Sequence, residues 1–240
     1  MDSIRDSGRT KGIIFDMDNT LFDFIEAKMN ACNAIVEYIG TGNPHELLSY
    51  FRRKRYGFED VENISDYLVE YGKYSEQVFN ECCTIYEREK IRNIKPYPGV
   101  KDTMLELKEM ELNIGILTDA DRRNAGRRLK RTGLCGCFDS LFTFDMTGHK
   151  KPSHEPFTYA LDSMGLKAHE TLYVGDSLRR DIIPSKQIGM VTVHAKYGDY
   201  GDHSHPGDSV QAEERPDHTI NTFRELLKII IDRNWNGNRS

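Results

Sequence analysis

Short apolar runs alternate with helical patterns along most of this chain. Each run is only a few residues long and continuously apolar, which is typical of strands buried on both faces of a parallel sheet. Strands that alternate with helices predict an α/β fold with a doubly wound parallel sheet. The predicted strands are residues 11–16, 113–118, 140–144, 171–176 and 190–195, with a short strand near Thr219, and the predicted helices are residues 99–111, 122–133, 155–165, 181–189 and 223–234.

Residues 25–94 interrupt this alternation with four successive helical patterns. Asn43, Pro44 and Glu46 have the order expected at a helix start: a capping side chain, a proline at the first helical position and an acid in the first turn. We therefore predict a Rossmann-like core formed by residues 1–23 and 95–240, with a helical cap domain, residues 24–94, inserted after the first strand. An insertion at this point is expected to lie over the ligand-binding edge of the sheet and to act as a lid.

Charge, hydropathy and cysteine content disfavour several classes of protein. A net charge of −5 over 240 residues argues against nucleic acid as the main partner. No apolar run approaches the roughly 18 residues of a membrane span, and the polar amino-terminal segment differs from a secretory signal. The five cysteines form no CxxC pair, which favours reduced thiols. These features predict a cytoplasmic protein with no membrane partner, and they indicate no particular oligomeric state.

Two carboxylates, Asp16 and Asp18, follow the first predicted strand directly. Like charges this close repel, so a bound cation is expected beside them. The carboxyl ends of parallel strands meet at one edge of a sheet, and further polar side chains follow the later strands. These are Thr118 and Asp119 after the second strand, Lys151 past the third, and Asp176 with Asp181 after the fourth. Such a set of groups suits phosphoryl transfer with magnesium.

The chemistry assigns separate tasks to the two amino-terminal carboxylates. A carboxylate can act as the nucleophile and form an aspartyl phosphate, which divides one difficult hydrolysis into two easier steps. Asp18 lies two residues further along an extended segment, on the same side as Asp16, and can protonate the leaving group and later deprotonate water. Asp16 and Asp176 are suitable magnesium ligands. Taken singly, Asp16 could equally cap a turn and Asp18 could be a solvated loop acid.

The segments DMDNT, LTDA, KP and VGDSLRRD resemble, in this order, the four motifs of the haloacid dehalogenase superfamily. The resemblance covers the chain from Ile13 to about Val193. It implies that Asp16 is the nucleophile and Asp18 the general acid and base. It also implies a phosphoryl-binding set of Met17, Thr118, Asp119 and Lys151, and a magnesium site of Asp16, Asp176, Asp181 and the backbone carbonyl of Asp18, with Asp181 bound directly or through an intervening ligand.

The same resemblance bears on the kind of substrate. True dehalogenases of this superfamily lack an acid at the position of Asp18, so its presence points to phosphate esters. Asp119 stands where many relatives have asparagine, which is expected to weaken anion binding without abolishing activity. The helical insertion looks like the small C1-type cap of the family. The predicted function is therefore a magnesium-dependent phosphatase that hydrolyses a small phosphorylated metabolite through an aspartyl phosphate.

Other functions and local interpretations stay open at this point. A phosphomutase of the β-phosphoglucomutase type would share the core residues, a phospho-acceptor signalling module would use similar groups, and a catalytically silent binding protein could share the scaffold. By spacing alone, Lys150 could replace Lys151, and Asp181 could cap the following helix. The basic residues 52–55 are interpreted as a solvated helix face or, alternatively, as a site for a second anionic group of the substrate. His203 and His205 are interpreted as part of a polar surface loop.

Overall fold

The computed structural model describes residues 9–53, 55–201 and 215–236, with side chains described as far as residue 234. The chain separates into two compact units. One combines Met1–Asp23 with Pro96–Ser240 and is called the sheet unit below, and the other is Phe24–Lys95, called the helical unit. His203, His205 and Lys54 lie outside the described residues. No helix among the described residues is long and apolar enough to cross a membrane.

Strands and helices alternate in the sheet unit, and among the residues described in the helical unit all the regular structure is helical. The strands are β1 Gly12–Phe15, β2 Asn113–Leu117, β3 Ser140–Phe142, β4 Thr171–Gly175, β5 Val191–Ala195 and β6 His218–Ile220. The helices, numbered along the chain, are α1 Phe24–Ile39, α2 Pro44–Tyr50, α3 Glu62–Glu70, α4 Glu76–Arg92, α5 Val100–Glu109, α6 Arg122–Thr132, α7 Phe144–Thr147, α8 Glu155–Met164, α9 Ile183–Gln187 and α10 Glu225–Asn236.

The six strands form one parallel sheet in the order β3-β2-β1-β4-β5-β6, which confirms the predicted α/β fold. Strand β1 lies between β2 and β4, with Phe15 in register with Ile116 on one side and Val174 on the other. The chain runs outward in opposite directions from β1 and β4, and ligands bind at the carboxyl ends of strands at such a reversal. This topology places the end of β1 at the expected functional edge.

The apolar character of the strands is explained by burial on both faces. All four residues of β1 and all five of β4 are buried. On one side of the sheet, Ile14, Leu117 and Tyr173 pack with Phe157 and Leu161 of α8. A continuous apolar run was therefore a reliable signal for a strand here, and the observed ends differ from the predicted ones by a residue or two.

The helical unit has its own hydrophobic core, built from residues of all four helices. Ile35, Leu47, Tyr67 and Tyr86 are among its fully buried members. The predicted start of α2 is confirmed, because Asn43 Oδ1 accepts hydrogen bonds from the backbone amides of the second and third residues that follow, at 2.8 and 3.4 Å. The two units thus each bury a separate apolar core.

The interpretation of residues 52–55 as a helix face is wrong for Arg52, Arg53 and Arg55, because α2 ends at Tyr50. Phe51 is buried and stacks on Tyr86 with ring centroids 5.0 Å apart, which fixes the chain at the point where the helix stops. Beyond it, Arg53 and Arg55 both pair with Asp66, at 3.2 and 2.9 Å. These arginines are exposed, so their pairs contribute little to stability.

Candidate active site

Asp16 is the first residue beyond β1 and is only 5% exposed. Its backbone amide donates to the carbonyl of Val174 at 2.8 Å, which continues the pairing of β1 with β4 and directs the residue toward the sheet edge. The Lys151 ammonium donates to Asp16 Oδ1 at 2.5 Å, and the Thr20 hydroxyl lies 3.2 Å from Oδ2. Both carboxylate oxygens of Asp16 are therefore held by named partners.

Lys151 bridges two carboxylates in the interior of the site. Its Nζ lies 2.5 Å from both Asp16 Oδ1 and Asp181 Oδ1, and it contacts the Tyr173 hydroxyl at 3.2 Å. The residue is 4% exposed, whereas Lys150 is exposed and its ammonium lies over the ring of Phe144. Spacing alone did not distinguish Lys150 from Lys151, and the geometry shows that Lys151 is the lysine in contact with Asp16.

Asp176 and Asp181 approach Asp16 from the turn that follows β4. One carboxylate oxygen from each of the three residues lies within 4.8 Å of the others. Ser177, rather than Asp181, caps the helical turn, since its hydroxyl accepts from the Arg180 amide at 3.1 Å. The turn also needs Gly175, because an added Cβ there would lie 2.5 Å from the Asp181 Cβ. Asp181 is thus not the capping residue itself, but its Oδ2 accepts from the Ser177 amide at 3.1 Å, so its carboxylate contacts the start of this turn as well as Lys151.

Asp18 points to a different partner from the other carboxylates. Its Oδ2 accepts from Arg128 Nη1 at 2.6 Å, and Arg128 lies on α6, far along the chain. The side chain of Asp18 is absent from the three-carboxylate cluster. Any contact of Asp18 with a metal would accordingly use its backbone carbonyl, as the family resemblance implies.

Thr118 and Asp119 follow β2, where their side chains shape the neighbouring backbone. The Thr118 hydroxyl accepts from the Ala120 amide at 3.2 Å. Asp119 accepts from the backbone amide of Lys151 at 3.0 Å and from the Arg180 guanidinium at 2.8 Å. The Asp119 carboxylate is thus paired with the Arg180 guanidinium, which offsets the negative charge that was expected to weaken anion binding. The side chain of Met17 is buried, so a contact with substrate would come from its backbone.

Burial and like charges make the site's carboxyl groups difficult to ionise. Burial raises the pKa of Asp16, and the charge of Asp181 also raises it, although Lys151 acts in the opposite direction. The pKa of Asp176 is raised well above its usual value by burial and then by the charges of Asp16 and Asp181. Burial lowers the pKa of Lys151, but its two carboxylate partners outweigh burial and raise that pKa well above its usual value. The site therefore has a stable ammonium and an excess of carboxyl groups.

The charge balance of these groups fits a divalent cation. Five carboxylates and three cations take part in the contacts above, so the fully ionised site carries a net charge of −2. The carboxylates are those of Asp16, Asp18, Asp119, Asp176 and Asp181, and the cations are Arg128, Lys151 and Arg180. Oxygen ligands that converge within 4.8 Å suit a small, hard ion. The residues present thus match the donor type and charge that such an ion requires.

Sequence reasoning omitted several groups that connect the site. Thr20 contacts Asp16 and lies 3.3 Å from Asp176 Oδ1, and Tyr173 donates to Asp181 at 3.1 Å. His194 Nε2 lies 2.9 Å from the carbonyl oxygen of Asp176. Thr20 belongs to the DMDNT motif and could have been noted there, whereas Tyr173 and His194 are buried strand residues without any local signal.

Comparisons with known proteins show which family and which relatives this chain is similar to. A family model described as haloacid dehalogenase-like hydrolase matches residues 13–195. Two glyceraldehyde 3-phosphate phosphatases are similar to this chain over nearly their whole length. The protein from Methanocaldococcus jannaschii is 34% identical, and the match covers 92% of this chain and 96% of that protein. The protein from Methanopyrus kandleri is 30% identical, and the match covers 92% of this chain and 97% of that protein. A HAD-superfamily hydrolase of subfamily IA from Geobacter sulfurreducens has the same fold, with a TM-score of 0.68 at 20% identity, over 93% of this chain and 97% of that structure.

Proposed function

Because this chain belongs to the haloacid dehalogenase-like hydrolases, we propose that it is a magnesium-dependent phosphatase that acts on a small phosphate monoester through an aspartyl phosphate. The observation that carries the proposal is the buried cluster in which Lys151 joins Asp16 and Asp181 beside Asp176. It combines a positioned carboxylate nucleophile, a charged ammonium and a site for a divalent cation.

In the proposed reaction, Asp16 attacks the phosphorus atom. A bond forms between a carboxylate oxygen of Asp16 and phosphorus while the bond from phosphorus to the leaving oxygen breaks, and Asp18 gives that oxygen a proton. Water then attacks the phosphorus of the aspartyl phosphate, the bond to Asp16 breaks, and Asp18 takes a proton from the water. Asp18 therefore returns to its starting protonation state after each turnover.

The remaining groups bind and orient the phosphoryl group. Lys151 contacts Asp16 and is close enough to the nucleophile to offset charge on the transferred group. In this proposal, a hydroxyl from Thr118 and backbone groups from Asp119 and Met17 lie next to the nucleophile. Asp16, Asp176 and the backbone carbonyl of Asp18 would hold magnesium, with Asp181 bound directly or through an intervening ligand, and the ion would supply positive charge to the non-bridging oxygens of the phosphoryl group.

The two curated relatives support a small phosphorylated metabolite as the substrate, with a triose phosphate as the first to test. Both are phosphatases, and no feature of the described residues favours the phosphomutase alternative. We propose that the helical unit is a C1-type cap that selects the substrate. We also propose a cytoplasmic location, because an odd number of cysteines, five, without a CxxC pair suits reduced thiols in a reducing compartment.

The test is phosphate release from a panel of phosphorylated metabolites and p-nitrophenyl phosphate, with magnesium or with a chelator. We expect metal-dependent turnover by the wild type and a loss of at least about 10³-fold in Asp16→Asn, because a carboxamide is a poor nucleophile. Asp217→Asn is the matched control, since Asp217 is bonded to Lys186 and Thr192 instead of the cluster. Folded wild-type protein without turnover of any substrate would refute the proposal, and a requirement for added sugar bisphosphate would favour the mutase.

A further inference from the structure

Arg128 occupies a position of α6 where an apolar residue would be expected. The buried residues of this helix are Ala125, Arg128, Leu129 and Thr132, which share one face at helical spacing. Arg128 is 1% exposed, whereas its neighbour Arg127 is exposed. A guanidinium in such a position is costly unless an anion pairs with it, so the identity of its partner is informative.

The carboxylate that meets Arg128 is that of Asp18. The distance of 2.6 Å from Nη1 to Oδ2 is that of a strong charge-assisted hydrogen bond. Asp18 is itself 23% exposed at the side chain, so the buried arginine reaches outward to a carboxylate at the site. The pair therefore joins the core face of α6 to the carboxylate proposed to transfer protons.

The backbone around Asp18 is already fixed without Arg128. Asp18 pairs with Phe22 in an isolated bridge, and the Asn19 amide donates to the Phe22 carbonyl at 2.8 Å. Asn19 adopts a left-handed conformation with φ of 63°, which closes a tight turn directly after Asp18. These contacts hold the main chain but leave the side-chain torsions to tertiary contacts such as the one with Arg128.

We propose that Arg128 is a positioning residue for proton transfer in the proposed phosphatase reaction, because it holds the Asp18 carboxylate toward the leaving-group oxygen. The inference rests on the proposed function. Arginine suits this task because its planar fork stays charged and orients a carboxylate, whereas lysine offers a less directional charge. Arg128 acts through Asp18 and needs no contact with the substrate.

The dependence of the rate on the leaving group tests this role. An alkyl phosphate needs a proton on the departing oxygen, whereas p-nitrophenolate leaves without one, so only the first substrate depends on a well-placed acid. The value of kcat/KM reports the step that forms the aspartyl phosphate. We expect Arg128→Met to lower kcat/KM by roughly 30-fold for the best alkyl phosphate of the panel and by less than about 3-fold for p-nitrophenyl phosphate.

Two variants on the same helix separate positioning from general damage. Arg127→Met removes an exposed charge and is expected to leave both substrates within about 2-fold of the wild type. Leu129→Ala makes a cavity at the adjacent buried position and is expected to affect both substrates by the same factor. Arg128→Lys retains the buried charge and serves as the test if Arg128→Met does not fold. We expect it to lower kcat/KM by about 5-fold for the alkyl phosphate alone.

An equal loss with both substrates in Arg128→Met or Arg128→Lys, as in Leu129→Ala, overturns the positioning role and leaves the proposed function standing. A faster reaction with the alkyl phosphate overturns it as well, because the pair would then hold Asp18 away from the leaving group. A wild type that hydrolyses neither substrate overturns the proposed function, and this inference with it.

Discussion

Asp176→Asn is expected to stabilise the metal-free protein although it removes a proposed metal ligand. Asp176 lies with Asp16 and Asp181 in the cluster whose ligand oxygens are within 4.8 Å of one another. Asparagine keeps an oxygen that can accept from Thr20 but carries no charge. The substitution therefore relieves repulsion in the absence of a cation and weakens the site for one.

The magnitude follows from the geometry of the cluster. At an effective dielectric constant of 20, two unit charges 4.8 Å apart repel by about 3.5 kcal/mol. Asp176 faces two such charges, but the Lys151 ammonium offsets part of the repulsion and the partial exposure of Asp176 screens more. We expect a gain of about 1–3 kcal/mol in the free energy of unfolding.

The gain depends on pH in a defined direction. Folding raises the pKa values of Asp16 and Asp176 above the reference value of 3.8. Such groups favour the folded state below about that pH, and their contribution is lost as the pH rises through the folded pKa. The advantage of Asp176→Asn is therefore expected at pH 7.5 and should vanish as the pH falls toward 4.

Urea unfolding in a chelator and in saturating magnesium measures both effects. Magnesium at 100 times its dissociation constant should stabilise the wild type by about 2.7 kcal/mol and the variant by much less. Asp217→Asn is the control. Burial raises the pKa of Asp217, but hydrogen bonds from Lys186 and Thr192 outweigh burial and lower it. The Asp217 side chain is 37% exposed, so solvent screens much of this stabilisation and the variant should lose no more than about 1 kcal/mol in either buffer. A metal-free Asp176→Asn protein less stable than the wild type at pH 7.5, or an equal magnesium increment, would refute the reasoning.

Three further substitutions test other parts of the structure. Lys151→Met removes the cation that bridges two carboxylates and should lower kcat/KM for p-nitrophenyl phosphate by roughly 10²-fold. Gly198→Ala places a Cβ 1.7 Å from the Asn19 carbonyl oxygen, so urea unfolding should show a loss of about 1–3 kcal/mol together with reduced turnover. Asn43→Ala removes a helix cap in the helical unit and should cost about 1 kcal/mol in the same assay, with magnesium-dependent stabilisation of the sheet unit unchanged.

The strands were predictable because each one is buried on both faces and thus reads as a continuous apolar run. The end of α2 was not, because helical periodicity continues past Tyr50 and the stop coincides with burial of Phe51 against Tyr86. At the candidate site, the motifs predicted a meeting of Asp16, Lys151, Asp176 and Asp181, and the structure brings these four together. Their roles in catalysis and metal binding remain predictions.

The parallel sheet and the carboxylates at its edge could be read from local patterns. Buried strands are continuous apolar runs, and the polar residues that directly follow them lie at the carboxyl ends of the strands. The pairing of the charges at the site, in contrast, depends on the folded structure. Arg128 with Asp18 and Arg180 with Asp119 are contacts between residues 110 and 61 positions apart in the chain. No local pattern encodes such pairs, because the partner of a charged side chain is set by what the fold places opposite it, and this matters most for Arg128, which is buried.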